Sequence, residues 1–352
     1  MDLYKRLIPE SMINKEVHKR MKKGYILLLL LVLLKAPELK AQQEIQFTQY
    51  IFNTLSVNPA YAGYKNQWFA QIALRNQWAS LDGAPKTGQV SIDGILSPYS
   101  RNVGAGLQIT SDKLGPQTST TVYLNYAYRL MLNDEDTKRL SFGIAAGVGN
   151  YGLDGTKFAA VDGSDNALFT GNENVWKWNI RLGFYYYSPK WYAGISLMNV
   201  LEDNENYIFG TDDLYYNVIQ NRHMYFITGA IFDLNPTLKL KPSILVKEDF
   251  KGPTSLDLNT MLIFNEKFWF GASYRTGISL SNKNYTNYSP ETLKTTNAIS
   301  GIVQFYATDQ FRIGYSYDYM LNDLGNENGS HEITLGYTFP LRSRRLISPR
   351  FF

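Results

Sequence analysis

From residue 69 to residue 339, apolar side chains alternate with small or polar ones, and this period of two constrains the chain more than any other feature. In the stretch 140–149, Leu140, Phe142, Ile144, Ala146 and Val148 fall on one face, with Ser141, Gly143, Ala145, Gly147 and Gly149 on the other. The stretch 103–110 sets Val, Ala, Leu and Ile against Gly, Gly, Gln and Thr. Phe311, Ile313, Tyr315, Tyr317 and Tyr319 oppose Arg312, Gly314, Ser316 and Asp318. Ile333, Leu335, Tyr337 and Phe339 oppose Glu332, Thr334, Gly336 and Thr338. Successive side chains of a β-strand point to opposite faces, so each stretch reads as a strand with one apolar face.

Fourteen such segments can be counted, near 69–78, 86–96, 103–112, 117–130, 139–152, 176–188, 191–199, 222–233, 238–247, 255–264, 268–275, 298–306, 311–319 and 332–339. Most have the roughly 9–11 residues that a tilted strand needs to cross a membrane. An even number also suits a single-chain bacterial barrel. The connections add an independent test. Counted from the first, the even ones are short: 97–102, 131–138, 189–190, 234–237, 265–267 and 307–310. The long ones, 153–175, 200–221, 276–297 and 320–331, are all odd. Outer-membrane barrels combine short periplasmic turns with longer extracellular loops, and a miscounted strand would scramble this parity.

A soluble β-sandwich also alternates, but its apolar face is a core of branched aliphatics and its polar face meets water. Here the aromatics sit on the apolar face, and the opposite face is rich in Gly, Ser, Thr and scattered charge. That arrangement suits lipid outside and a polar lumen inside. The aromatic load of 26 Tyr, 19 Phe and 6 Trp fits the girdles that membrane barrels carry at their two water interfaces. No stretch after residue 41 reads as a helical span of about 20 apolar residues. The expected fold is therefore all-β: a transmembrane antiparallel β-barrel of about 14 strands in the outer membrane, occupying 69–352.

The N-terminus reads as an export signal. Arg20, Lys22 and Lys23 precede an apolar run from Ile26 to Leu34, and Ala41-Gln42 follows a short polar stretch, which is the region order of a secretory signal peptide. Residues 1–41 are read as that signal, cleaved between Ala41 and Gln42, with an uncleaved anchor as the alternative and Met21 as an alternative start. The chain carries 35 Lys+Arg and 31 Asp+Glu, of which 1–41 hold nine and four. The remaining 26 basic and 27 acidic residues leave no excess of positive charge for a phosphate backbone, so nucleic acid is not an expected partner. With no cysteine, disulfides, thiolate metal sites and cysteine nucleophiles are excluded.

Several motifs lie in one order along the mature chain: Gln46-Phe-Thr-Gln-Tyr50, Asn58-Pro59-Ala60-Tyr61-Ala-Gly63, Arg75-Asn-Gln-Trp78 and Gly83-Ala84-Pro85-Lys-Thr87. Near the end come Gly329-Ser-His331-Glu332-Ile333, with Leu335 and Tyr337, then Pro349-Arg350-Phe351-Phe352. Together they resemble the PorP/SprF family, outer-membrane barrels of Bacteroidetes associated with type IX secretion and gliding motility. Where that family shows Trp-x-Gly, this chain has Trp78-Ala79-Ser80. The resemblance implies a partner protein rather than a catalyst. It points to secretion or surface anchoring of an exported protein, such as an adhesin with a C-terminal domain of type B, or to other components of the secretion machinery.

The chemistry-bearing residues are few. Beyond His18 in the presequence there are only His223 and His331, with no HExxH motif and no carboxylate cluster, so neither a metal nor a cofactor is expected. Ser330-His331-Glu332 suggests a nucleophile and base, but neighbours in a strand point to opposite faces and cannot pair. Gly104-Ala-Gly106 is no phosphate loop, lacking a following helix and a Lys-Ser/Thr; small inward residues leave lumenal room or allow a bend. Arg75, Arg129, Arg181, Arg275 and Arg312, with Asp318 and Glu332, fall on the inward face. They read as a lumenal ion-pair network or as a docking surface for a plug. Residues 42–68 lack a strand pattern and are read as an N-terminal periplasmic or lumen-plug segment. The long loops 153–175 and 200–221 are acidic and carry Phe158, Phe169, Tyr207, Phe209, Tyr215 and Tyr216, candidate partner contacts because interfaces enrich aromatics. The function expected is non-enzymatic export or anchoring of a partner. A transporter of hydrophobic or small solutes is the alternative.

Overall fold

The computed structural model describes residues 46–157, 171–201, 208–209, 216–217, 221–250, 254–278, 297–321 and 329–340. The described residues fall in one compact unit that begins at Gln42. Fourteen strands run in chain order: β1 Phe69–Asn76, β2 Lys86–Ile95, β3 Val103–Leu114, β4 Gln117–Met131, β5 Arg139–Asp154, β6 Asn172–Tyr187 and β7 Trp191–Met198. β8 comes in two pieces, His223–Ala230 and Phe232–Asn235, and is followed by β9 Leu238–Glu248 and β10 Thr254–Phe264. Then come β11 Phe268–Ile278, β12 Ala298–Tyr306, β13 Phe311–Met320 and β14 Ser330–Thr338. Each pairs antiparallel with its sequence neighbours, and β1 pairs with β14 from Phe69↔Thr338 to Asn76↔His331. The sheet therefore closes on itself as a barrel, and each of these fourteen strands has two neighbours.

All fourteen expected strands are present. The largest displacement is at β6, expected from 176 and found from Asn172. Asn172-Glu-Asn-Val175 carries no apolar alternation, yet it continues the ladder because its partner across β5 runs on to Asp154. β6 pairs with β7 only from Leu182 to Tyr187, so its first ten residues rise above β7. The gap in β8 also has a cause. Gly229 faces Ser243 and Phe232 faces Leu240, so the break lies opposite Pro242, which has no N–H to give to a ladder. Ile231 donates instead to the Lys190 carbonyl at 2.8 Å.

The connection parity survives. Turns 96–102, 132–138, 188–190, 236–237, 265–267 and 307–310 gather at one end, where β1 starts and β14 stops. The long connections gather at the other. Asn265 and Glu266 both take left-handed φ, +47° and +57°, in a tight turn closed by the Lys267 N–H donating to the Phe264 carbonyl at 3.1 Å, a primed form whose twist matches that of the flanking strands. In the 200–221 loop, Ile208–Phe209 and Tyr216–Asn217 form a small antiparallel pair.

The alternating faces lie as the periodicity requires. Ile144, Leu182, Phe226, Leu258, Phe270, Val303, Tyr315 and Ile333 point outward and stay exposed. Arg75, Gln89, Asn125, Asp257, Ser316 and Thr334 point inward and are buried. One expectation needs correction: the inward face is not polar throughout. Tyr185, Tyr192, Met198, Ile227, Leu245, Met261, Ile263, Trp269 and Ile302 make an apolar inner wall on β6–β12. It is apolar because it is covered from within by residues 46–68, so this barrel buries a core as a soluble protein does.

Candidate functional site: the occupied lumen

Residues 46–68 descend through the barrel from the long-loop half toward the short-turn end, where β1 begins. Three short turns of 3-10 helix, Tyr50–Phe52, Thr54–Ser56 and Pro59–Tyr61, hold the segment in shape. Tyr50, Ile51, Phe52, Leu55, Ala60, Tyr61 and Tyr64 are all buried in the common core. Burying each large side chain contributes about 1.5–3 kcal/mol.

At the upper end the segment is clamped by charge. The Thr48 and Gln49 backbone N–H groups donate to the two carboxylate oxygens of Glu332 at 2.8 and 3.1 Å. Thr48 Oγ1 donates to Asp318 at 2.7 Å. The Arg75 guanidinium joins both acids, 2.6 Å from Asp318 and 3.1 Å from Glu332, and also donates to Thr48 Oγ1 at 3.0 Å. Buried ion pairs persist only where hydrogen bonds satisfy the remaining lone pairs, and here the segment's own backbone supplies two of them. Gln49 adds a 3.0 Å bond to the Glu332 carbonyl and receives the Thr334 hydroxyl at 2.8 Å.

Halfway down, Arg312 donates to the Phe52 carbonyl at 3.2 Å and to Gln71 at 2.7 Å. Gln89 donates to Asn53 Oδ1 at 2.9 Å, and Phe52 meets Trp269 edge-on at 5.5 Å between centroids. Below lies Asn58-Pro59-Ala60-Tyr61-Ala-Gly63. Asn58 caps its own turn by accepting the Ala60 N–H at 2.9 Å, and its amide nitrogen donates to carbonyls of β6 and β7, Phe184 at 2.9 Å and Ile195 at 3.3 Å. Tyr61 stacks on Tyr64 at 4.8 Å, and both meet Tyr185 edge-on. Gly63, at φ +76°, gives its N–H to Asp93 at 2.9 Å. Asn66 accepts from Arg129 at 2.7 Å.

Glycines on the wall make this fit possible. A Cβ on Gly143 would lie 2.1 Å from the Ala60 nitrogen, and one on Gly104 would lie 2.0 Å from the Ala62 oxygen. One on Gly183 would lie 2.1 Å from Asn58 Oδ1. β3 and β5 thus each place a missing side chain where the segment's backbone passes, and β6 places one where the Asn58 and Pro59 side chains pass. The alternation alone suggests lumenal space at these glycines; the signal that identifies a packing surface is their coincidence with a strandless stretch upstream that holds the small residues Ala60, Ala62 and Gly63.

The motifs spread along the sequence converge. Gln46-Phe-Thr-Gln-Tyr50, Arg75 and Glu332 meet in the upper clamp, although Thr48 and Glu332 are 284 positions apart. Trp78 takes a left-handed φ of +44° and donates its N–H to Ser330 Oγ at 3.2 Å. Gly83 (φ +74°) accepts from Gly115 N–H at 2.8 Å, Pro85 accepts from Gln77 N–H at 3.0 Å, and Thr87 bonds Asp112, while Ala84 donates to Leu81. These bind the β1–β2 connection to its neighbours. His331 lies on the outward face, with Tyr315 Oη 2.8 Å from its Nδ1, while Ser330 is buried, so the two are turned apart. Among the inward arginines, Arg75 and Arg275 form ion pairs, the latter with Asp257 at 2.8 Å, whereas Arg129 and Arg312 bind the inserted segment and Arg181 lies over the Tyr123 ring. Among the described residues no group of three His, Asp or Glu converges on a metal position. Ala41, Gln42, Phe158, Phe169, Tyr207, Tyr215 and the terminal Pro349–Phe352 lie outside the described residues; Phe209 and Tyr216 are backbone register partners in the small loop pair.

A closed fourteen-stranded barrel with an apolar outer band and an occupied lumen defines the class: an integral outer-membrane barrel. The chain belongs to the family of type IX secretion system membrane proteins PorP/SprF, whose model matches residues 39–337. No curated protein matches the chain. Among solved structures it is similar to a FadL homologue of Pseudomonas aeruginosa, at 10% identity and a TM-score of 0.43, covering 80% of this chain and 92% of that one. It is similar also to the toluene transporter TbuX of Ralstonia pickettii, at 11% identity and a TM-score of 0.44, covering 80% and 92%. Omp33 of Acinetobacter baumannii gives 10% identity and a TM-score of 0.41, covering 79% and 100%.

Proposed function

We propose that this secretion-system barrel is a non-catalytic platform that holds an exported partner at the cell surface, its extracellular loops and mouth binding the partner's C-terminal domain. The observation that carries the reading is the occupied lumen. Residues 46–68 reach from the Glu332 wall to the Asn58 contacts on β6 and β7, leaving the interior as a packed core rather than a route for solute. Membership in a type IX secretion family supplies the class of partner, an exported protein such as an adhesin with a type B domain, or another secretion component. The strands that flank the long connections end on one side, and connections of this length are large enough to contribute a specific interface of about 1,200–2,000 Å². Ser330 and His331 turn apart and do not form a nucleophile–base pair.

The test is co-purification of the barrel with its exported partner from outer membranes, comparing wild type with a variant in which 200–221 is replaced by a short Gly-Ser link. Heat-modifiable gel mobility reports the fold. Loss of the partner with the barrel intact is the expected result. A wild type that brings down no exported protein and conducts small solutes would instead mark a transporter.

A further inference from the structure

A basic hollow sits on the outward face of the barrel at its long-loop end. It has a volume of about 750 Å³ and is floored by the β1–β2 connection, Gly115 and Pro116, with Lys86, Lys113 and Lys157 around it. Its place along the strands can be read from the outward side chains. On β2 and β3 the last exposed apolar residues are the cross-strand partners Val90 and Ile109, and on β1 Leu74 stands exposed one outward position further, opposite Gly88. Gly88 and Ser111 follow, and then Lys86 and Lys113, four residues on from Val90 and Ile109. At about 3.3 Å per residue along a tilted strand, the two lysines lie roughly 5–10 Å above the apolar edge, at the height of the outer-leaflet headgroups.

The charges are arranged at a cost. Lys86 and Lys113 stand directly opposite each other in the β2–β3 ladder, where like charges destabilise a sheet. Lys157 lines the same hollow, and its like charge disfavours protonation of Lys113. Lys157 has a carboxylate partner, Asp154 at 3.3 Å, and Asp82 in the floor accepts the Gly83 N–H. Lys86 and Lys113 have no salt bridge among the described residues. Three ammonium groups thus converge on an open hollow with too few acids to neutralise them. Their outward direction and height select the occupant.

We infer that this hollow binds the phosphate-bearing headgroup of an outer-leaflet lipid, with Lys86, Lys113 and Lys157 as its ligands. The bound anion relieves the Lys86–Lys113 repulsion and fastens the β1–β3 side of the barrel to the membrane surface.

The experiment uses the full barrel in phosphatidylcholine nanodiscs containing a minor fraction of diphosphoryl lipid A, or the same lipid stripped of phosphate. Lipid A retained per barrel is measured after detergent exchange. The wild type should keep the diphosphoryl form and lose the stripped form. Each lysine near an anionic surface is worth about fivefold in affinity, so the triple change Lys86→Gln, Lys113→Gln, Lys157→Gln should weaken binding by on the order of a hundredfold. Lys138→Gln, an exposed lysine at the opposite end, should change nothing. A second readout keeps folding apart from binding: Lys86→Gln alone should raise the thermal stability of the lipid-free barrel and lower that of the lipid-A-loaded one. Equal retention of the stripped lipid, or undiminished retention by the triple variant, would overturn the assignment. So would displacement of lipid A by a poly-glutamate peptide that binds more tightly, which would make the hollow a site for an acidic protein.

Discussion

At Gly143 a hydrogen stands where any other residue would put a carbon 2.1 Å from the backbone nitrogen of Ala60. Gly143→Ala should therefore push the inserted segment away while leaving the β4–β5–β6 ladder paired, because the clash lies on the inward face alone. Gly301→Ala is the control, since nothing lies within 4 Å of a Cβ there. Limited proteolysis of the folded barrel checks this: cleavage within 46–66 should rise for the first variant only. Glu332 is tested differently. It accepts two backbone N–H groups and the Arg75 guanidinium, so Glu332→Gln should lower stability by about 1–3 kcal/mol, the range for a buried charged hydrogen-bond acceptor left half-satisfied. Thermal unfolding followed by gel mobility measures it, and an unchanged midpoint would mean that the clamp contributes nothing. Little of this was legible in the sequence. Alternation places Arg75 and Glu332 on the inward face, but their meeting with Thr48 and Gln49 depends on closure of the barrel between β1 and β14, which alternation alone does not disclose.

The elements were far more legible than the contacts, because each strand writes its faces into a period of two. Tyr315 is the middle of five outward residues on β13, flanked on its rung by Val303 and Ile333. Tyr315→Arg should cost about 2–4 kcal/mol if that rung is at the bilayer midplane. Gly314 at first sight offers a mild inward comparison, but a Cβ there would meet Gln49 Oε1 and Thr334 Oγ1 at 2.4 Å. Gly301→Ala on the same outward surface is the better one. Equal loss of folded barrel from Tyr315→Arg and Gly301→Ala would contradict the outward assignment. Two features escaped the periodicity for physical reasons. The start of β6 is polar on both faces because it stands above the apolar band. The lumen is apolar along β6–β12 because another part of the chain covers it.

Across the whole molecule, both ends of the wall and all six short turns share one end, which sets the topology to be tested. The chain has no cysteine, so single cysteines report cleanly. Thr156→Cys at the long-loop end should react with an impermeant maleimide on intact cells, and Tyr99→Cys, 97% exposed in a short turn, should not. The reverse pattern would invert the barrel. The central claim is that the lumen is closed by residues 46–68 and that the protein acts as a platform rather than a pore. Single-channel recording of the purified wild-type barrel in planar bilayers tests this most directly. The account predicts no steady conductance for the wild type and the appearance of open events for Gly143→Ala. A stable open channel in the wild type, with the same conductance in the variant, would contradict it.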